Sequence, residues 1–107
     1  ENALSSAEKE NRYGIFWAAA RGNADRIRQL AARGVNVNAS DYDGRTALHV
    51  AASEGQVGAV KLLLALRAQV ACQDRHGHTP VQDAISSGHE EIRQLLEEAV
   101  SSNGDLE

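Results

Sequence analysis

Asp41-Tyr42-Asp43-Gly44-Arg45-Thr46-Ala47-Leu48-His49-Val50-Ala51-Ala52-Ser53-Glu54-Gly55 reads as a tight turn that feeds a short apolar helix and stops at a glycine. Thirty-three residues on, the pattern returns as Asp74-Arg75-His76-Gly77-His78-Thr79-Pro80-Val81-Gln82-Asp83-Ala84-Ile85-Ser86-Ser87-Gly88, with Asp, Gly, Thr, Ala and Gly in register. Gly44 and Gly77 stand where a tight turn needs a positive φ, which costs little only without a Cβ. Thr46 and Thr79 precede apolar residues and can cap the first free N–H groups of a helix. Pro80 follows at the first helical position, where its missing N–H is no loss. Beyond Gly55 a second helix is predicted, with Val57, Val60, Leu63 and Leu64 on one face. Ala47, Ala51 and Ala52 keep the first helix thin on one side, as a helix stacked against a close neighbour must be.

A turn and two helices repeated at this period resemble an ankyrin repeat, whose fingerprint is the helix opening Thr-Pro/Ala-Leu/Val-His/Gln. The resemblance covers roughly Tyr13 to Leu96. It implies an all-α ankyrin-repeat solenoid of helix-turn-helix units joined by β-turn, hairpin-like loops. The expected organisation is an N-terminal extension over 1–12, partly helical, then a repeat domain over 13–99 and a flexible tail over 100–107. The repeats fall at about 13–40, 41–73 and 74–99.

Composition agrees with stacked small helices. The chain has 107 residues, 42% of them hydrophobic but only 4% aromatic, so its core is built from Ala, Leu, Val and Ile. A net charge of −4 lacks the basic footprint that phosphate neutralisation requires, which argues against nucleic acid and against an anionic membrane surface. The single cysteine, Cys72, excludes an internal disulfide and points to a reducing, intracellular and cytoplasmic setting. No apolar run has membrane-spanning length, and Glu1-Asn2-Ala3-Leu4 does not read as a signal peptide. A first residue other than Met and the polar ending from Ser101 to Glu107 read as a trimmed segment with a loose tail.

Along the chain, Ser5-Ser6-Ala7-Glu8 has capping-box spacing, so a helix is predicted from near Ser6 to about Ala20, with Gly14 as its weak point. In this first repeat Ile15, Phe16 and Trp17 replace the fingerprint. Its second helix, Ala24 to Arg33, carries Arg26 and Gln29 where the middle repeat has Ala59 and Leu62, a polar outer face that an end repeat needs. Gly34 ends that helix. The middle repeat departs from the pattern at Arg67, where a helix-ending glycine is usual, and at Gly58 inside its second helix. A loosened helix end is therefore expected near Leu66. The third repeat places Arg93 and Glu97 where the middle one has Val60 and Leu64, the polar face of a closing cap.

Few residues offer chemistry. His49 lies in the fingerprint between apolar residues, and the resemblance implies that it bonds a neighbouring turn; Gln82 fills its place one repeat later. Cys72-x-x-x-His76-x-His78 carries sulfur and imidazole that suit zinc, with Asp43, His49 or His89 as a fourth ligand, but the spacing matches no recognised site. An exposed turn carrying His76 and His78 over a packed Cys72 accounts for it, and no metal or other cofactor is expected. Asp41-Tyr42-Asp43-Gly44 opens like a calcium loop, yet Ala52 stands where the twelfth-position glutamate belongs. Neither a nucleophile pair nor a phosphate-cradling loop is present, so no enzyme is expected.

What remains is surface. By resemblance, the turn tips and the exposed side of each first helix form a concave groove for a protein partner. The matching positions are Ser40, Tyr42, Asp43, Arg45, Ser53 and Glu54 in the middle repeat. In the third they are Gln73, Arg75, His76, His78, Ser86 and Ser87, and Ala20 and Arg21 extend the row into the first. Tyr42 and Arg45 are the expected anchors, because Tyr and Arg combine contact area with directional bonds. Self-association through Ala65 and Leu66, as the assembly element of a larger protein, is the second expectation. The run through Gly55, with Asp74-Arg75 and Gln82-Asp83-Ala84 downstream, is also similar to the ankyrin segments of animal glutaminases, plant potassium channels and plant ankyrin-type kinases.

Overall fold

Among the described residues, six helices follow one another as three antiparallel pairs: α1 (Ser6–Arg21) with α2 (Ala24–Ala32), α3 (Ala47–Glu54) with α4 (Val57–Ala65), and α5 (Pro80–Ser87) with α6 (Glu90–Gly104). The computed structural model describes residues 6–104, and the side chains of residues 14–100. The first helices form one layer, α1 on α3 and α3 on α5, and the second helices form the other, α2 on α4 and α4 on α6. No helix among the described residues is long and apolar enough to cross a membrane.

Each boundary has a local cause. Thr46 and Thr79 adopt extended backbone and accept hydrogen bonds from the third helical N–H, at His49 and Gln82. In return, the side chains of His49 and Gln82 accept from the backbone N–H of Thr46 and Thr79 at 3.1 and 2.9 Å, which completes a capping box at both helices. Gly55 and Gly88 end α3 and α5 in the left-handed conformation at φ 77° and 78°. The capping box expected at Ser5–Glu8 involves side chains outside the described residues. Gly14 does not interrupt α1, which runs through it. α6 continues past Ala99, where a tail was expected, because no breaker intervenes before Gly104 and the Ile92, Leu96, Ala99 stripe keeps helical period.

The core runs the length of the stack. Ile15, Ile27 and Leu30 from the first repeat, Leu48, Val60 and Leu63 from the second, and Ile92 and Leu96 from the third are fully buried. Ala18, Ala19, Ala47, Ala51, Ala52 and Ala84 are the small buried residues of the first helices. Burying one of the Leu or Ile side chains contributes about 1.5–3 kcal/mol. Arg67 is the only non-glycine among the described residues with positive φ, at 70°, in register with Gly34 at 94°. The departure foreseen at this position is thus met by a left-handed arginine rather than by a longer helix, at a cost of about 1 kcal/mol.

Candidate interaction surface

Two turns of the same build carry the fingertips of the stack. In the middle repeat Asp41 Oδ1 accepts hydrogen bonds from the backbone N–H groups of Asp43 and Arg45 at 2.9 and 3.0 Å, and the Asp41 N–H donates to the Arg45 carbonyl. In the third, Asp74 Oδ1 accepts from the N–H groups of His76 and His78 at 2.8 and 2.9 Å, and the Asp74 N–H donates to the His78 carbonyl. Those N–H donors, His78 first, hold the Asp74 carboxyl below its ordinary value of 3.8 against the opposing effect of burial. Each aspartate thereby makes its own turn rigid, and the residues around it are presented rather than left loose.

His49 joins the two turns. Because Nδ1 accepts the Thr46 N–H, Nε2 carries the ring hydrogen and donates to the His78 carbonyl at 2.8 Å. The imidazole is fully buried. This is the structural bond to a neighbouring turn that the fingerprint implied. The tips are tied again on the surface, where the Arg75 N–H donates to the Asp43 carbonyl at 2.7 Å and the Arg75 guanidinium meets the Asp43 carboxylate at 3.1 Å.

Of the row expected to face a partner, Arg21, Ser40, Tyr42, Asp43, Glu54, Arg75, His76, His78, Ser86 and Ser87 are exposed. Tyr42 stands out with 94% of its surface exposed. Ser53 is half-buried, and so is Arg45. The Arg45 guanidinium lies 3.6 Å from the carboxylate of Asp83 on α5, so this expected anchor is occupied across the repeat interface. Arg21 lies over the ring of Trp17 at 5.0 Å. The row is therefore less cationic than its composition suggests: Arg45 and Arg75 each face a carboxylate, which leaves a tyrosine and two imidazoles as its distinctive groups.

The groups weighed for metal binding do not converge. Cys72 Sγ lies 3.5 Å from Gln69 Oε1, while His76 and His78 project from the tip with their rings 6.1 Å apart. Asp74, His78 and Asp83 do come within 4.8 Å of one another. Their charges are already engaged, however: Asp74 by the turn N–H groups and Asp83 by Arg45, even though the buried Asp83 Oδ2 accepts no hydrogen bond. As for self-association, Leu66, the C-cap residue of α4, is partly buried and packed against the core; only Ala65 of that expected pair is exposed.

A second tie between repeats was not foreseen. Gln56 Nε2 donates to the Ala20 carbonyl at 2.9 Å, and thirty-three residues later His89 Nε2 lies 3.2 Å from the Ser53 carbonyl. In both cases the first residue beyond a helix-ending glycine reaches back over the preceding repeat's glycine to an unpaired helix carbonyl. Gln56 and His89 stand in register, which was visible, but Gln and His share this bonding ability only if a carbonyl lies within reach. A family model of ankyrin repeats, in three copies, matches residues 15–105. The comparison with curated proteins found no match.

Proposed function

The chain belongs to the ankyrin-repeat family, and from that premise we propose that it is a non-enzymatic module that presents its row of turn tips and first-helix residues to a protein partner. The observation that carries this reading is Tyr42: a large aromatic, 94% exposed, on a turn whose backbone is held by Asp41 and tied to the next tip. An exposed aromatic on a rigid frame loses little entropy on binding and gains much contact area. His76 and His78 on the adjacent tip, Ser86 and Ser87 behind it, and Arg21, Ser40, Asp43, Ser53, Glu54 and Arg75 complete the row. Because exposed ion pairs such as Asp43–Arg75 contribute little, a partner can exchange them for its own charges at small cost. Arg45 serves the row by fixing α5 through Asp83 rather than as a free anchor. The free thiol of Cys72 suits an intracellular location.

The test uses peptides selected from a random library on the immobilised chain, with affinities then measured by calorimetry. Tyr42→Ala should weaken binding at least tenfold, His76→Ala less, and Arg28→Ala, on the exposed side of α2, not at all. Selected peptides that tolerate Tyr42→Ala yet lose affinity with Arg28→Ala would move the site away from this row.

A further inference from the structure

The two ends of the stack are not ordinary polar caps, and their differences match. At the first-repeat end a groove of about 400 Å³ opens between α1 and α2, floored by Gly14 and Ala18 and walled by Trp17, Arg21 and Arg26. Trp17 is 63% exposed. The register shows what this face lacks: Arg26 stands one repeat before Ala59, which is fully buried, so it occupies a position that elsewhere receives a preceding repeat. At the third-repeat end Ile85 is 55% exposed, although its counterparts Ala19 and Ala52 are fully buried by the repeat that follows each of them. A smaller groove beside it, about 110 Å³, is lined by Ala84, Gly88, His89 and Arg93.

Size and charge are complementary between the ends. Inside the stack the residue facing forward is small, Ala19 or Ala52, and the floor of the next unit carries Ala47 or Pro80; at the ends the forward residue is Ile85 and the floor is Gly14. Residues 14–33 hold four arginines against one aspartate, and residues 88–100 hold four glutamates against one arginine. That arginine, Arg93, is held between Glu90 and Glu97 on α6, leaving the face acidic. Two large apolar residues exposed at opposite ends, each framed by opposite charge, mark contact surfaces.

We propose that the third-repeat face of one copy docks on the first-repeat face of a second copy, Ile85 entering the groove beside Trp17 and continuing the stack across the junction. Such a head-to-tail contact does not close on itself, so assembly extends with concentration. It leaves the Tyr42 tip free, while Arg21, at the end of the row, becomes part of the junction. The charged rims make it weaken as salt rises.

Sedimentation equilibrium on the whole chain tests this. At low salt the weight-average mass should climb about twofold or more between roughly 10 µM and 1 mM, and less at high salt. Arg26→Glu spoils only the first-repeat face, and Ile85→Glu only the third-repeat face. Each variant alone should stay monomeric, whereas an equal mixture should form a complex of two chains and nothing larger, because one good face of each kind remains. Trp17→Asp replaces Arg26→Glu should the latter lose its helical circular dichroism. A wild-type mass that stays constant across the series overturns the proposal, as does association that survives both variants or a mixture that remains monomeric.

Discussion

Replacing His49 by Ala removes the one side chain that caps α3 and bonds the next turn at once. Two backbone groups lose a partner, and they are not equivalent. The Thr46 N–H is left buried without an acceptor, since Thr46 is 1% exposed, at a cost of about 1–3 kcal/mol. The His78 carbonyl keeps the Asp74 N–H as a donor, so its loss is one net hydrogen bond, about 1 kcal/mol. The space vacated by a fully buried ring adds about 1 kcal/mol or more. The total is about 4 kcal/mol, a large share of the roughly 5–15 kcal/mol that holds a domain of this size. Urea unfolding followed by far-ultraviolet circular dichroism reads it directly, and the melting temperature should fall by about 15 °C or more. His49→Gln is the control. Gln82 caps the same position one repeat later, with Oε1 accepting the Thr79 N–H at 2.9 Å, so Gln should recover the Thr46 bond and cost about 1–2 kcal/mol. If His49→Ala cost less than about 1 kcal/mol, or Gln were as damaging as Ala, the bond to two turns would not be what holds the middle repeat.

The remaining predictions concern backbone and charge. Arg67→Gly relieves the left-handed arginine and should gain about 0.5 kcal/mol after the entropy cost in the unfolded chain, and in the wild type the Leu66 amide should exchange faster than that of Ala32; equal exchange and no gain would show that Arg67 is unstrained. Gly58 sits in the first turn of α4 with open space where a Cβ would lie, so Gly58→Ala should stabilise by about 0.5–1 kcal/mol in thermal melts, and a loss would mean an unseen contact. Because the folded Asp74 carboxyl titrates below its ordinary 3.8, its contribution to stability is complete above that value and is lost as pH falls through the lower folded value; Asp74→Asn should flatten the acid side of the stability curve, and a carboxyl seen by NMR to titrate at or above 3.8 would contradict the turn geometry.

Most of the fold was written in the sequence because its signals are local. Gly44, Thr46, Pro80, Gly55 and Gly88 each act within a few residues of themselves, and a recurrence at thirty-three residues multiplies each of them. Burial followed from the same register, since Val60 and Leu63 point inward for the reason that Ile27 and Leu30 do. Even the left-handed Arg67 could be located, though whether the helix would run on instead could not. The surface was legible only as a set of positions. That Arg45 turns to Asp83, that Arg75 turns to Asp43, and that Gln56 and His89 reach back to carbonyls of the preceding repeat depend on which side chains the stacking brings within a few ångströms, at separations of thirty residues and more. The sequence by itself determined the repeat, its caps and its core, which follow from backbone preference and apolar period. Only the tertiary structure decided which charges pair, which leaves Tyr42 94% exposed and puts Trp17 and Ile85 on opposite open ends, because pairing and exposure are properties of neighbours in space and not of neighbours in the chain.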